Sequence, residues 1–111
     1  AIGGTVTGDV AGRTGARIVA GGANNPLADP RVETILAERG ILFAPDFAIN
    51  SGGVIVLSTE LAQGTIAQAR QKTEGIYQTA IRVFERAASQ GCTPLRAAIA
   101  LAEERIRAAK A

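Results

Sequence analysis

Residues 16–45 decide the fold: Ala16-Arg17-Ile18-Val19-Ala20-Gly21-Gly22, then Asp29-Pro30-Arg31-Val32, then Gly40-Ile41-Leu42-Phe43-Ala44-Pro45. Ala16–Ala20 reads as a short strand closed by two glycines. Asp29-Pro30 is a helix start, a capping side chain followed by proline at the first helical position. Val32, Ile35 and Leu36 mark one apolar face, and Gly40 stands where helices preferentially end. Ile41–Ala44 is a second, fully apolar strand stopped by Pro45-Asp46. Strand, helix and strand with short links form a crossover, which forces parallel pairing and a right-handed connection. Fully apolar strands of this type are expected to be buried on both faces. The fold class is therefore α/β, a piece of an open parallel sheet.

Upstream, residues 3–15 hold Gly3, Gly4, Gly8, Gly12 and Gly15 with little apolar periodicity. They read as loop with at most a helical turn near Val10. Downstream of Asn50 the character changes. Val54–Ala62 reads as an apolar helix opening at Ser51 or Gly52 and broken by Gly64. Thr65-Ile66-Ala67-Gln68 has capping-box spacing. Ile66, Ala69, Ile76, Ala80, Phe84 and Ala87 then keep helical spacing up to Gly91, with Tyr77, Ile81 and Ala88 widening the stripe. Thr93-Pro94 caps a last helix with Leu95, Ala98, Ala102 and Ile106 on one face. The chain thus divides into a strand-bearing segment, 1–50, and a C-terminal helical segment, 51–111.

The whole chain has 111 residues, 47% of them hydrophobic and 20% charged. That composition fits a packed globular core and one compact domain. It contains no histidine, which excludes Ser/His and Cys/His catalytic pairs and His-ligated metals. Cys92 is the single cysteine, so no internal disulfide or cysteine-cluster zinc site is available, and the thiol reads as structural. The apolar runs fall short of the roughly 18–20 residues of a membrane span. The net charge of +2 is spread among acidic residues and aromatics are 4%, without the basic, stacking footprint of a nucleic-acid binder. No secretory leader is seen, so a cytoplasmic location is expected. The opening Ala1-Ile2-Gly3-Gly4 has no start methionine, as if an initiator had been removed or the chain were the tail of a longer one.

Two loops follow the carboxyl ends of the two strands, where open α/β sheets bind ligands. Gly21-Gly22-Ala23-Asn24-Asn25-Pro26 offers small residues for close approach and a carboxamide that both donates and accepts. Taken alone it reads first as turn chemistry, since Asn and Pro are such common turn residues. Pro45–Val54 places a second carboxamide, Asn50, just before Gly52-Gly53 at a helix start, where free N–H groups can receive an anion or a carbonyl. A plain helix cap is the alternative. Both loops face one crevice in this layout. Neither Gly-x-Gly-x-x-Gly nor Gly-x-x-x-x-Gly-Lys occurs, so the local motifs of a complete nucleotide-binding domain are missing.

Together, Ala1-Ile2-Gly3-Gly4, Gly21–Ala28 and Arg39–Ile55, with its Pro-Asp-x-x-x-Asn-x-Gly-Gly-Val element, resemble the Glu/Leu/Phe/Val dehydrogenase family. Glu74-Gly75-Ile76-Tyr77 and Leu101–Ile106 resemble its leucine, phenylalanine and valine branch, and the likeness runs from residue 1 to about residue 107. Pro26 and Ser51 lean toward the glutamate branch, whereas Asn25 and the short C-terminus lean toward the leucine branch.

The resemblance implies oxidative deamination of an L-amino acid to a 2-oxo acid and ammonia, with hydride passed to NAD or NADP. It also implies that residues 1–50 are the second half of a Rossmann-like cofactor domain, and residues 51–111 the helices that pack back toward a substrate domain. Ala1, Ala23, Asn24, Asn50, Gly52 and Gly53 map to cofactor positions, and Asn50, Val54 and Leu57 to the amino-acid side-chain pocket. The family's two functional lysines and its aspartate have no counterpart here, and no metal is implied. Lys72 and Lys110 fall in helices expected to lie far from the matched positions. The expected partner is the remaining N-terminal part of such an enzyme or further copies of this chain, and the chain alone is expected to be inactive. The other reading is a non-catalytic, dehydrogenase-derived assembly element.

Overall fold

A computed structural model describes residues 2–110. Helix α1 spans Gly8–Arg13; Thr7 Oγ1 accepts the Val10 N–H at 3.2 Å to cap it. Strand β1 is Ile18–Val19, helix α2 is Arg31–Glu38 and strand β2 is Leu42–Phe43. The strands pair in parallel, Ile18 opposite Leu42 and Val19 opposite Phe43. The expected strand–helix–strand crossover is present, with the strands trimmed to two residues each. Asp29 Oδ1 accepts the Arg31 N–H at 2.7 Å at the start of α2. That backbone hydrogen bond, aided by the Arg31 guanidinium, holds the Asp29 carboxyl below its usual range despite some opposing desolvation. Gly40 takes a φ of +69° as the chain turns back into β2.

Val32 and Leu36 are buried, and with Ala11, Ile41 and Phe43 they form the first core cluster. Arg39 fixes the loop behind it, donating to the carbonyls of Ala11 at 2.7 Å and Thr14 at 2.8 Å. The expectation that both strand faces are buried needs correction. Ile18 is 61% exposed and Leu42 39% exposed. Alternate residues of a strand point to opposite faces, and here Val19 and Phe43 pack against α1 and α2 while Ile18 and Leu42 point away from that core.

Three helices follow a short one: α3, Asp46–Ile49; α4, Gly52–Leu61; α5, Ile66–Gln90; and α6, Pro94–Lys110. The capping box is formed in full. Thr65 Oγ1 accepts the Gln68 N–H and Gln68 Oε1 accepts the Thr65 N–H. Gly91 closes α5 in the left-handed conformation, which glycine adopts without a Cβ penalty. The second core cluster lies between α5 and α6: Val83, Ala87, Ala97 and Ala98, flanked by Phe84, half-buried Cys92 and Leu101. Arg86 crosses the same seam to both carboxylate oxygens of Glu104.

This seam is shorter than the stripes suggest. Ile66 is 83% and Ile106 55% exposed. They lie at the ends of α5 and α6 that the small-residue contact does not reach.

The molecule measures 46 × 33 × 21 Å with a radius of gyration of 15.5 Å, against about 13 Å for a compact domain of this length. Its accessible surface is 7513 Å², whereas a compact monomer of this mass exposes about 5,800 Å². Val54, Leu57, Leu61, Ile66 and Tyr77 are all more than half exposed. Uncovered apolar area of this kind is unusual for a soluble monomer.

Candidate functional site

The crevice lies at the carboxyl ends of β1 and β2. Leaving β1, the chain runs through Ala20-Gly21-Gly22-Ala23 into Asn24-Asn25-Pro26. Leaving β2, it passes Ala44-Pro45 into α3. A cavity of about 250 Å³ between these exits is lined by Val19, Ala20, Gly21, Gly22, Ala23 and Asp46, among others. Its walls at Gly21 and Gly22 carry no side chain, and a Cβ on either would meet nothing within 4 Å. The backbone there is open to a ligand.

α3 is a single helical turn within the loop expected at Pro45–Val54. It lifts Asn50 toward the other loop. The Asn50 N–H donates to the Asp46 carbonyl at 2.9 Å, so the turn itself sets the Asn50 position. From there Asn50 Nδ2 donates to Asn24 Oδ1 at 2.6 Å. The two carboxamides expected to share a crevice are in direct contact. Each has spare capacity: the second Asn50 N–H and its Oδ1, and both N–H groups of Asn24.

The Asn24 loop is held by its backbone. Asn25 has a φ of +49°, uncommon for a residue with a Cβ though asparagine tolerates it best. Its N–H donates to Asp46 Oδ2 at 3.1 Å and its carbonyl accepts the Gly4 N–H at 2.8 Å. Val6 and Leu27 extend that contact as a parallel bridge, with the Val6 N–H on the Pro26 carbonyl and the Ala28 N–H on the Val6 carbonyl, both 2.9 Å. The glycine at position 3 is required by close approach. A Cβ there would stand 2.7 Å from the Asn24 carbonyl oxygen and 3.1 Å from that of Asn25.

Ala23 lines the cavity. Gly52 and Gly53 open α4, whose N-cap, Ser51, makes no side-chain capping bond. The first-turn N–H groups are thus left without a side-chain cap. Val54 and Leu57 share the outer face of α4, 69% and 57% exposed; the structure does not enclose them in a pocket. Ala1 lies outside the described residues. Lys110 is exposed at the end of α6. Lys72 is exposed too, on α5. Its neighbour Thr73 brings Cγ2 to 3.9 Å from the place a Gly52 Cβ would occupy, because α5 packs along α4.

Sequence reasoning missed Asp46 as more than a strand stop. A carboxylate after proline at a strand end was visible, but nothing local indicates a bond to a residue 21 positions away. Among the described residues no helix is long and apolar enough to cross a membrane, and no group of three or more Cys, Asp or Glu side chains is placed to hold a metal.

The sequence profile of the Glutamate/Leucine/Phenylalanine/Valine dehydrogenase family matches residues 1–111. The chain is 42% identical over 110 residues to a valine dehydrogenase of Streptomyces coelicolor, covering 99% of this chain and 30% of that protein. It is 42% identical over 106 residues to a leucine dehydrogenase of Thermoactinomyces intermedius, covering 96% of this chain and 29% of that protein. The crystal structure of an L-tryptophan dehydrogenase from Nostoc punctiforme superposes with a TM-score of 0.91 at 38% identity, over 96% of this chain and 33% of that one. The chain therefore spans about 30% of the length of the curated relatives it matches. With a family match over residues 1–111 and a close superposition on a solved L-tryptophan dehydrogenase, the chain belongs to the Glutamate/Leucine/Phenylalanine/Valine dehydrogenase family.

Proposed function

We propose that this chain is the C-terminal, cofactor-binding part of an NAD(P)-dependent amino-acid dehydrogenase, which converts an L-amino acid to its 2-oxo acid and ammonia. One observation carries the reading: Asn24 and Asn50, from loops at the carboxyl ends of adjacent parallel strands, meet at 2.6 Å beside an open cavity. In an open α/β sheet that is the ligand crevice. In this reading residues 1–50 are the second half of a Rossmann-like domain, and residues 51–111 are the helices that join it to the rest of the enzyme.

The residues present fit a nicotinamide dinucleotide. Side-chain-free backbone at Gly21 and Gly22 admits a ring or ribose, and Ala23 adds little bulk. The unused donors and acceptors of Asn24 and Asn50 match ribose hydroxyls and a carboxamide. The uncapped α4 start at Gly52 and Gly53 offers N–H donors to a carbonyl or carboxylate. Ala1 joins the cofactor side, and Val54 and Leu57 face the amino-acid side chain once the rest of the enzyme encloses them. When bound, NAD or NADP supplies the hydride acceptor. The asparagines orient and do not titrate, so the groups that move protons come from elsewhere in the enzyme. The partner is that remainder, and the enzyme works in the cytoplasm with the free dinucleotide pool.

The test compares the complete enzyme with the 111-residue chain. The complete enzyme should reduce NAD or NADP with at least one of leucine, valine, phenylalanine and glutamate, and the chain alone should not. Turnover by the isolated chain, or none by the complete enzyme with any of these substrates, would overturn the reading. An Asn50→Ala change should cripple the complete enzyme; unchanged activity would favour an assembly role instead.

A further inference from the structure

We infer that Asp46 is the positioning residue of the crevice, a clamp that sets Asn24 and Asn50 at contact distance by holding both loops at once. The inference rests on the proposed cofactor role for its functional readout, though its geometry stands apart from that role.

Asp46 uses two different groups. Its main-chain carbonyl accepts the Asn50 N–H at 2.9 Å and closes α3. Its carboxylate Oδ2 accepts the Asn25 N–H at 3.1 Å. One residue thus fixes the backbone of Asn50 on its own loop and the residue next to Asn24 on the other. The far side of Asn25 is also taken, since its carbonyl accepts the Gly4 N–H at 2.8 Å. With both backbone polar groups of Asn25 bonded, the peptide planes beside Asn24 are held, and with them the point from which the Asn24 side chain leaves the loop.

The conformation of Asn25 explains why a carboxylate stands there. A φ of +49° is disfavoured for most residues with a Cβ; asparagine tolerates it, and the hydrogen bonds on either side of Asn25 hold it there. A hydrogen bond to an ionised acceptor is stronger than a neutral one. Asp46 is half-buried and lines the cavity beside Ala23, and its bond to Asn25 spans the two loops at the exposed rim of that cavity. A role confined to starting α3 would need a good first-turn residue but no reach to Asn25.

Three measurements on the complete enzyme test this. In the unmodified enzyme the Asn25 amide should exchange with solvent more slowly than the Asn24 amide. Asp46→Ala should remove that protection and raise the KM for the dinucleotide about tenfold, with a thermal midpoint close to that of the parent. Asp46→Asn keeps an acceptor of the same reach and should retain protection, with the KM within about threefold of the parent. Fast exchange of the Asn25 amide in the parent would overturn the clamp, and this arm holds even if Asp46→Ala fails to fold. Retained protection and KM in Asp46→Ala would also overturn it, as would equal losses in both variants with a fallen midpoint. Should the parent bind no dinucleotide, the proposed function fails while the exchange measurements still decide whether Asp46 clamps the loop.

Discussion

Asn50 Nδ2 donates to Asn24 Oδ1 at 2.6 Å, across 26 residues of sequence. Groups that act as a unit lose their effects together. Asn24→Ala and Asn50→Ala should each lower kcat/KM of the complete enzyme by about tenfold or more. The double variant should cost less than the product of the two. A double-mutant cycle with no coupling would show that the contact contributes nothing to binding or turnover.

Gly3 leaves no room for a side chain, because its Cβ would sit 2.7 Å from the Asn24 carbonyl oxygen. Gly3→Ala should therefore displace the Asn24 loop at a cost of about 1–3 kcal/mol. Gly4→Ala is a different case. Among the described residues nothing lies within 4 Å of a Cβ there, and the cost comes from its φ of +72°. Denaturant unfolding compares the variants, and dinucleotide affinity should fall more in Gly3→Ala.

The Arg86 guanidinium holds the Glu104 carboxyl below its usual range, and Glu104 in turn raises Arg86. A depressed carboxyl stabilises the fold above its ordinary titration range. That contribution disappears as pH falls through the lowered value. The pair is partly exposed, 22% at Arg86 and 47% at Glu104, so the effect is small and salt-sensitive. Thermal melts of the parent and Glu104→Gln should differ at neutral pH and converge in acid.

Glu33 is 93% buried on α2, and among the described residues its Oε1 has no hydrogen-bond partner. Burying a polar atom without a partner is unfavourable, and an apolar side chain of similar volume avoids that. Glu33→Met should stabilise the protein by about 1 kcal/mol, read as a higher denaturation midpoint. A loss of stability would mean that the carboxylate has a partner in the assembled enzyme.

Much of the secondary structure was legible because its signals are local. The Thr65 capping box, the Asp29-Pro30 start, and Gly40 and Gly91 at positive φ are each written within a few residues of the feature they specify. The resemblance to the amino-acid dehydrogenases was equally legible, since it rests on contiguous residue types. Burial was less so. Ile18, Ile66 and Ile106 read as core by pattern but are exposed, because periodicity reports which residues share a face and not whether anything covers it.

By itself the sequence determined the parallel crossover, the approximate extents of α2, α4, α5 and α6 and the two asparagine loops, all consequences of short-range backbone chemistry, whereas α1 at Gly8–Arg13 formed where a glycine-rich loop was expected. The tertiary structure alone decided that those loops touch. It placed Asp46 on Asn25, Gly3 beneath Asn24 and Thr73 against Gly52. These contacts join residues about 20 positions apart. They depend on how α2 returns the chain to β2 and how α5 doubles back along α4, and no local preference encodes that geometry.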